Sequence, residues 1–228
     1  MMSDFNAGMN IFFVTCLVIR LLADIFWARR SSRCEKTSAG KYLSLPDDKK
    51  WFYASYYNSI VYSTVLVVLV IKAALSCKPE HAWATALTDS YCRDNPTEQQ
   101  IRLNAFMVGT LVADLLIQIF FVKDFRSPGA LQNYLHHVLA IFGAVAGNSI
   151  GRFIGTLSNI TLITEITTPF VSNRWILHFH NKVDSTAYFI NGLCMTIGFG
   201  LFRIVFLSYI VIFLAPSAFK QNDFSKDP

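Results

Sequence analysis

The apolar residues of this chain neither alternate nor recur once per helical turn. They run in long blocks separated by shorter polar stretches. Six blocks, 9–27, 52–75, 103–122, 131–147, 151–168 and 185–214, are near or above the about 20 residues that a bilayer-spanning helix needs. In hydrocarbon every backbone polar group must be satisfied internally, which leaves helix bundles and closed barrels. Blocks this long and continuous exclude barrel strands. The pattern predicts an all-α fold: one polytopic transmembrane bundle of about six spans over residues 1–228.

The polar stretches divide the blocks. Residues 28–50 predict a loop with an interfacial segment. Within it, Leu45-Pro46-Asp47-Asp48 has the form of a helix start, and Trp51-Phe52-Tyr53 that of an aromatic belt. The short connection 123–129 makes the third and fourth spans antiparallel neighbours. The fourth and fifth would form one overlong helix without a break, which is expected at 147–151. Gly143, Gly147, Gly151 and Gly155 recur every four residues there and predict close helix approach around a tight hairpin. Thr167-Thr168-Pro169 is expected to end the fifth span, because the residue before proline avoids helix. Residues 171–184 then read as an amphipathic segment on the membrane surface. The sixth block is long enough to tilt or kink near Gly198 and Gly200.

Composition adds class and orientation. With 53% hydrophobic and 15% charged residues, the chain is too apolar for an ordinary soluble domain. The net charge of +5 does not imply nucleic acid, because the basic residues gather in one juxtamembrane loop: Arg29, Arg30, Arg33, Lys36, Lys41, Lys49 and Lys50. With six spans, eleven Lys and Arg fall on that side and six on the other. The long basic loop is therefore expected inside, with both termini outside. No cleavable leader is expected at the start, and no lipidation or retention signal at the end. Cys77 and Cys92 share a loop; they pair if it faces an oxidising compartment, and are otherwise two free thiols.

Ionisable groups within spans are costly and are functional candidates by default. Arg20 and Asp24, four apart, read as a self-neutralising pair or as cavity lining. Asp114 sits mid-span and is expected to face the bundle interior. His136 lies fourteen residues before Ile150 and Glu165 fifteen after it, so a hairpin turning there sets them at matched depth. Asn133 shares the face of the histidines. Asn58 and Asn191 enter the same half of the membrane. These groups predict a polar cavity open toward the basic side, with His136 or His137 as base or nucleophile and Glu165 and Asp114 as orienting carboxylates. Asn58, Asn133, Asn173, Arg174, Asn191 and Arg203 are candidate lipid-cavity residues. By helical rise Arg203 is about 27 Å along the sixth span, which puts it nearer the opposite face. No metal is expected, since the Glu-x-x-His pairs of dinuclear bundles are absent. The Asn159-Ile160-Thr161 sequon falls inside a span, where glycosylation is not expected.

Taken in order, Asp114, His136-His137, Glu165-Ile166-Thr167-Thr168-Pro169-Phe170, Asn173-Arg174-Trp175 and Phe202-Arg203-Ile204-Val205 resemble the TLC domain. That membrane domain is shared by TRAM proteins, ceramide synthases and CLN-type proteins. The chain looks most like the small non-synthase TLC proteins, over roughly residues 50–215. The resemblance implies about six spans and work on membrane lipids. If catalytic, it implies acyl transfer with acyl-CoA as co-substrate and no resident cofactor. The paired aspartates that the synthases carry downstream of their histidines are replaced here by Asn159 and Glu165, so ceramide synthesis is not expected. The competing expectation is a non-enzymatic accessory subunit with protein partners in a larger membrane complex. The family default location is the endoplasmic reticulum, with the mitochondrial inner membrane as the alternative.

Overall fold

The computed structural model describes residues 2–30, 38–77, 87–126, 128–150, 152–214 and 216. Described residues are helical almost throughout: α1 (Met2–Arg30), α2 (Ser38–Leu43), α3 (Asp47–Leu75), α4 (Ser90–Asp94), α5 (Glu98–Ile117), α6 (Pro128–Ile150), α7 (Arg152–Thr161), α8 (Thr168–Phe179), α9 (Thr186–Gly198) and α10 (Leu207–Tyr209). Three π-helical stretches, Gln118–Val122, Phe199–Phe206 and Ile210–Leu214, and one 3₁₀ stretch, Leu162–Thr167, lie between or beyond them. Four helical runs are long and apolar enough to cross a membrane: Met2–Arg29, Asp47–Leu75, Glu98–Val122 and Thr186–Leu214. α6 and the run through α7 and α8 are not among these four.

Local signals explain the starts. Pro46 caps α3, with Asp47 and Asp48 in its first turn, where negative charge meets the positive end of the helix. The expected helix start therefore belongs to the second span itself. α5 begins on a reciprocal box: the Thr97 hydroxyl accepts from the Gln100 N–H, and the Gln100 side chain accepts from the Thr97 N–H. The π turn after α5 ends on Lys123, whose φ of 55° lies in the left-handed region and turns the chain toward α6.

α1 packs on α5 and α3, α5 on α6, α3 on α8, and α8 on α9. The tightest approach joins α1 to α5. A Cβ on Gly8 would run into the Phe106 carbonyl, and one on Gly109 into that of Phe5. The glycine row expected to make such a contact does not make it at Gly143, which has open space around it. Gly151 lies outside the described residues.

Two expectations about the second half are corrected. Thr167-Thr168-Pro169 does not end the helical run. Thr167 and Thr168 both keep right-handed helical torsions, and Pro169 sits in the first turn of α8, where its missing N–H costs nothing. Residues 171–179 therefore do not stand apart as a surface segment: they lie within α8, which buries Ser172, Ile176 and Phe179 against the bundle.

The two ends of the bundle differ. At the basic end Arg20 is 9% exposed and staples three elements. It holds Asp24 at 3.0 Å and Asp47 at 2.7 Å, while the Tyr42 hydroxyl donates to Asp24 at 3.1 Å. Tyr42, Tyr53, Trp27, Trp175 and Phe179 pack an aromatic cluster beside it. At the other end Cys77 and Cys92 form a disulfide. Asn159 of the sequon is buried between α5 and α7, donating to Gln100 O and Asn104 Oδ1.

Candidate functional site

The centre of the site is the Asp114 carboxylate on α5, only 6% exposed. Three donors converge on it from three helices. The Ser55 hydroxyl on α3 donates to Oδ1 at 2.6 Å, the Gln118 amide one turn on donates to Oδ2 at 2.7 Å, and His137 Nε2 on α6 lies 2.9 Å from Oδ2. The network continues outward: Asn133 donates to Gln118 Oε1 at 2.9 Å and the Tyr134 hydroxyl to the Gln118 carbonyl at 3.2 Å. The pairings Asp114–His137 and Gln118–Asn133 run in opposite directions along the two helices, so α5 and α6 are antiparallel neighbours as expected.

The geometry separates the two histidines. His137 Nδ1 is 2.8 Å from the Asn133 carbonyl, which can only accept, so Nδ1 donates. Nε2 faces a carboxylate that already receives two other donors. Both ring nitrogens of His137 are thus occupied, one on a backbone carbonyl and one on the Asp114 carboxyl group. His136 is exposed and has no hydrogen-bond partner among the described residues; its ring meets His137 edge-on at 5.7 Å.

His136 opens onto a cavity of about 410 Å³. Helix α3 contributes Ser55, Tyr56, Ser59 and Tyr62 to its wall, α5 Thr110 and Asp114, the π stretch after it Gln118, and α6 Gln132, Asn133 and both histidines. Glu165, Thr168, Phe199 and Arg203 complete the lining. Gln132 and His136 are exposed, so the cavity opens at the α6 edge of the bundle. Glu165 accepts from the Thr168 hydroxyl at 2.6 Å. It shares the cavity with His136, without a hydrogen bond between them.

Arg203 corrects the depth expectation. Its Nε donates to the Thr167 hydroxyl at 3.0 Å and its guanidinium lies 4.8 Å from the Phe199 ring centre, inside the same cavity. The reason is α8. Its 12 residues extend the fifth run by about 18 Å before the chain turns, so α9 starts farther out than a fifth span ending at Thr168 allows.

Four candidate residues hold helices together and do not line the cavity. Asn58 donates to the Phe12 carbonyl at 3.0 Å and receives Thr15 at 2.9 Å, joining α3 to α1. Asn173 donates to Asn191 at 3.0 Å, and Asn191 donates on to the Phe170 carbonyl at 2.8 Å, joining α8 to α9. Arg174 stacks over the Tyr188 ring at 4.1 Å. Conversely, Ser55, Tyr62, Thr110 and Gln118 are cavity residues the sequence did not single out. Gln118 had a readable signal, four residues from Asp114 on one helix face. The described residues contain no group of His, Cys, Asp and Glu able to hold a metal ion.

A helical bundle with apolar flanks and a buried charged cavity defines a polytopic membrane protein. The chain belongs to the TLC domain family, whose model matches residues 52–227. It is 34% identical over 109 residues to TLC domain-containing protein 4-B of Xenopus laevis, covering 46% of this chain and 39% of that protein. It is 32% identical over 103 residues to TLC domain-containing protein 4 of Homo sapiens, covering 44% and 37%. The matched stretch thus spans about two fifths of the length of these curated relatives. No solved structure matches the chain.

Proposed function

We propose that this protein binds a membrane lipid in the cavity beside His136 and acts on it, with His136 as the reactive group. The observation that carries the reading is the unpartnered His136 ring on the wall of an open cavity of about 410 Å³, within the usual range for small-ligand sites. A neutral imidazole near physiological pH is a competent base. In an acyl transfer, His136 would take the proton from an accepting hydroxyl or amine as that group attacks the thioester carbonyl of an acyl-CoA. It would return the proton to the departing thiolate. His137 and Asp114 brace the helix that carries His136. The disulfide supports an orientation with the Cys77–Cys92 end in an oxidising compartment and the basic end opposite, in keeping with the endoplasmic reticulum.

The test is lipid profiling of cells expressing the wild-type chain or His136→Ala at matched protein levels. The reading expects a change in lipid acyl composition with the wild type that disappears with the variant. Identical profiles, with a co-purifying protein complex that depends on the chain, would replace it with the accessory-subunit role.

A further inference from the structure

Two opposite charges share the cavity without touching. Arg203 and Glu165 both line it, yet they form no ion pair. Each is held by one of two consecutive threonines. The Thr167 hydroxyl donates to the Thr164 carbonyl at 2.9 Å and accepts from Arg203 Nε. The Thr168 hydroxyl donates to Glu165 Oε2. Thr167 is fully buried, so its orientation is fixed by packing as well as by both bonds. Consecutive helical residues point about 100° apart, so the pair of threonines keeps the two charges separated.

Both charged groups retain unused capacity. Among the described residues, the two terminal nitrogens of Arg203 and Oε1 of Glu165 have no partner. The Asp114–His137 pair is internally neutral and satisfied, so Arg203 and Glu165 are the poles that the cavity presents. At this depth two separated, half-satisfied charges are expensive. A ligand carrying the complementary pair of charges removes that cost at both ends.

Resting on the lipid-binding reading above, we propose that the cavity selects a zwitterionic lipid headgroup, with its oxyanion on Arg203 and an N–H-bearing cation on Glu165. The two terminal guanidinium nitrogens form a fork that matches two oxygens of a phosphate or carboxylate. Oε1 of Glu165 accepts an N–H, which a quaternary ammonium cannot supply. His136 lines the same cavity and so shares it with the headgroup. A purely anionic headgroup satisfies Arg203 and leaves Glu165 repelled; a purely cationic amphiphile does the reverse.

The test uses the full chain in neutral detergent and tail-labelled lipids read by fluorescence anisotropy. The probes are phosphatidylethanolamine, phosphatidylcholine and phosphatidic acid carrying one labelled chain. Inorganic phosphate and ethanolamine are added as soluble competitors. The proposal expects phosphatidylethanolamine to bind at least tenfold tighter than either of the others, with little displacement by the soluble ions. Arg203→Gln and Glu165→Gln should each lose that preference, and Glu165→Gln should narrow the gap to phosphatidic acid. Equal binding of all three lipids by the wild type overturns the selectivity while leaving lipid binding intact, and needs no variant to fold. Tight phosphatidic acid binding unchanged by Glu165→Gln reduces the site to an anion site and also overturns it. Strong displacement by phosphate alone would mean the site reads a free ion rather than a lipid. Absence of binding by every lipid would overturn the lipid-binding reading itself.

Discussion

The buried Asp114 carboxyl group is held by three partners, Ser55 from α3, Gln118 one turn on along its own helical run, and His137 from α6. Removing one member of a buried pair leaves the other charge uncompensated, at a cost of about 3–5 kcal/mol. His137→Ala is therefore expected to lower the denaturation midpoint sharply. His136→Ala, which breaks no hydrogen bond, should leave stability within about 1 kcal/mol while removing the lipid phenotype. Denaturant titration of both variants checks this division. His180, in the turn after α8, provides a pH test. Burial, helped by Lys182 and Lys41, pushes its pKa below the ordinary histidine value. The folded state thus holds it neutral while the unfolded chain still binds the proton. Its contribution is present above the unfolded value of about 6.5 and is lost as pH falls below that toward the lower folded value. A melting series from pH 7.5 to 5.5 should decline in the wild type and decline less in His180→Phe. At this scale the sequence disclosed which residues matter better than what they do. Adjacent histidines look alike in the chain; only the 100° between them, fixed on a folded α6, assigns one to Asp114 and the other to the cavity.

Among the elements, the α1–α5 contact depends on absent side chains. Gly109→Val would drive its Cβ into the Phe5 carbonyl, and an overpacked helix contact costs about 1–3 kcal/mol. Gly143→Ala meets open space and should be neutral, so the two variants measured side by side test where the helices approach. The Cys77–Cys92 bridge, with a sequence separation of 15, should contribute about 3 kcal/mol, seen as a lowered midpoint in Cys92→Ser. Element existence was legible from the apolar blocks, and the α3 start from Pro46-Asp47-Asp48. The continuation through Pro169 was not. A proline in the first turn of a new helix and a proline that stops an old one leave the same local trace, and tertiary packing of α8 on α3 and α9 decides between them. The misplacement of Arg203 follows from that single ambiguity.

For the whole molecule, the bundle gathers one open cavity with His136, Glu165 and Arg203 on its walls, while the Arg20–Asp24–Asp47 staple sits apart at the basic end. That His136 and Glu165 line one cavity followed from counting outward from the break expected at 147–151, because helical rise is constant; α6 itself stays helical through Ile150. Lateral neighbours were not readable, so Asn58, Asn173 and Asn191 were assigned to a cavity when they tie helices together. The central claim is that a lipid occupies the cavity. Native mass spectrometry of the intact chain released from membranes, beside Ser59→Trp to fill the cavity, tests it most directly. The account expects lipid adducts on the wild type that are depleted in a Ser59→Trp protein of unchanged melting temperature; adducts retained equally by both would contradict it.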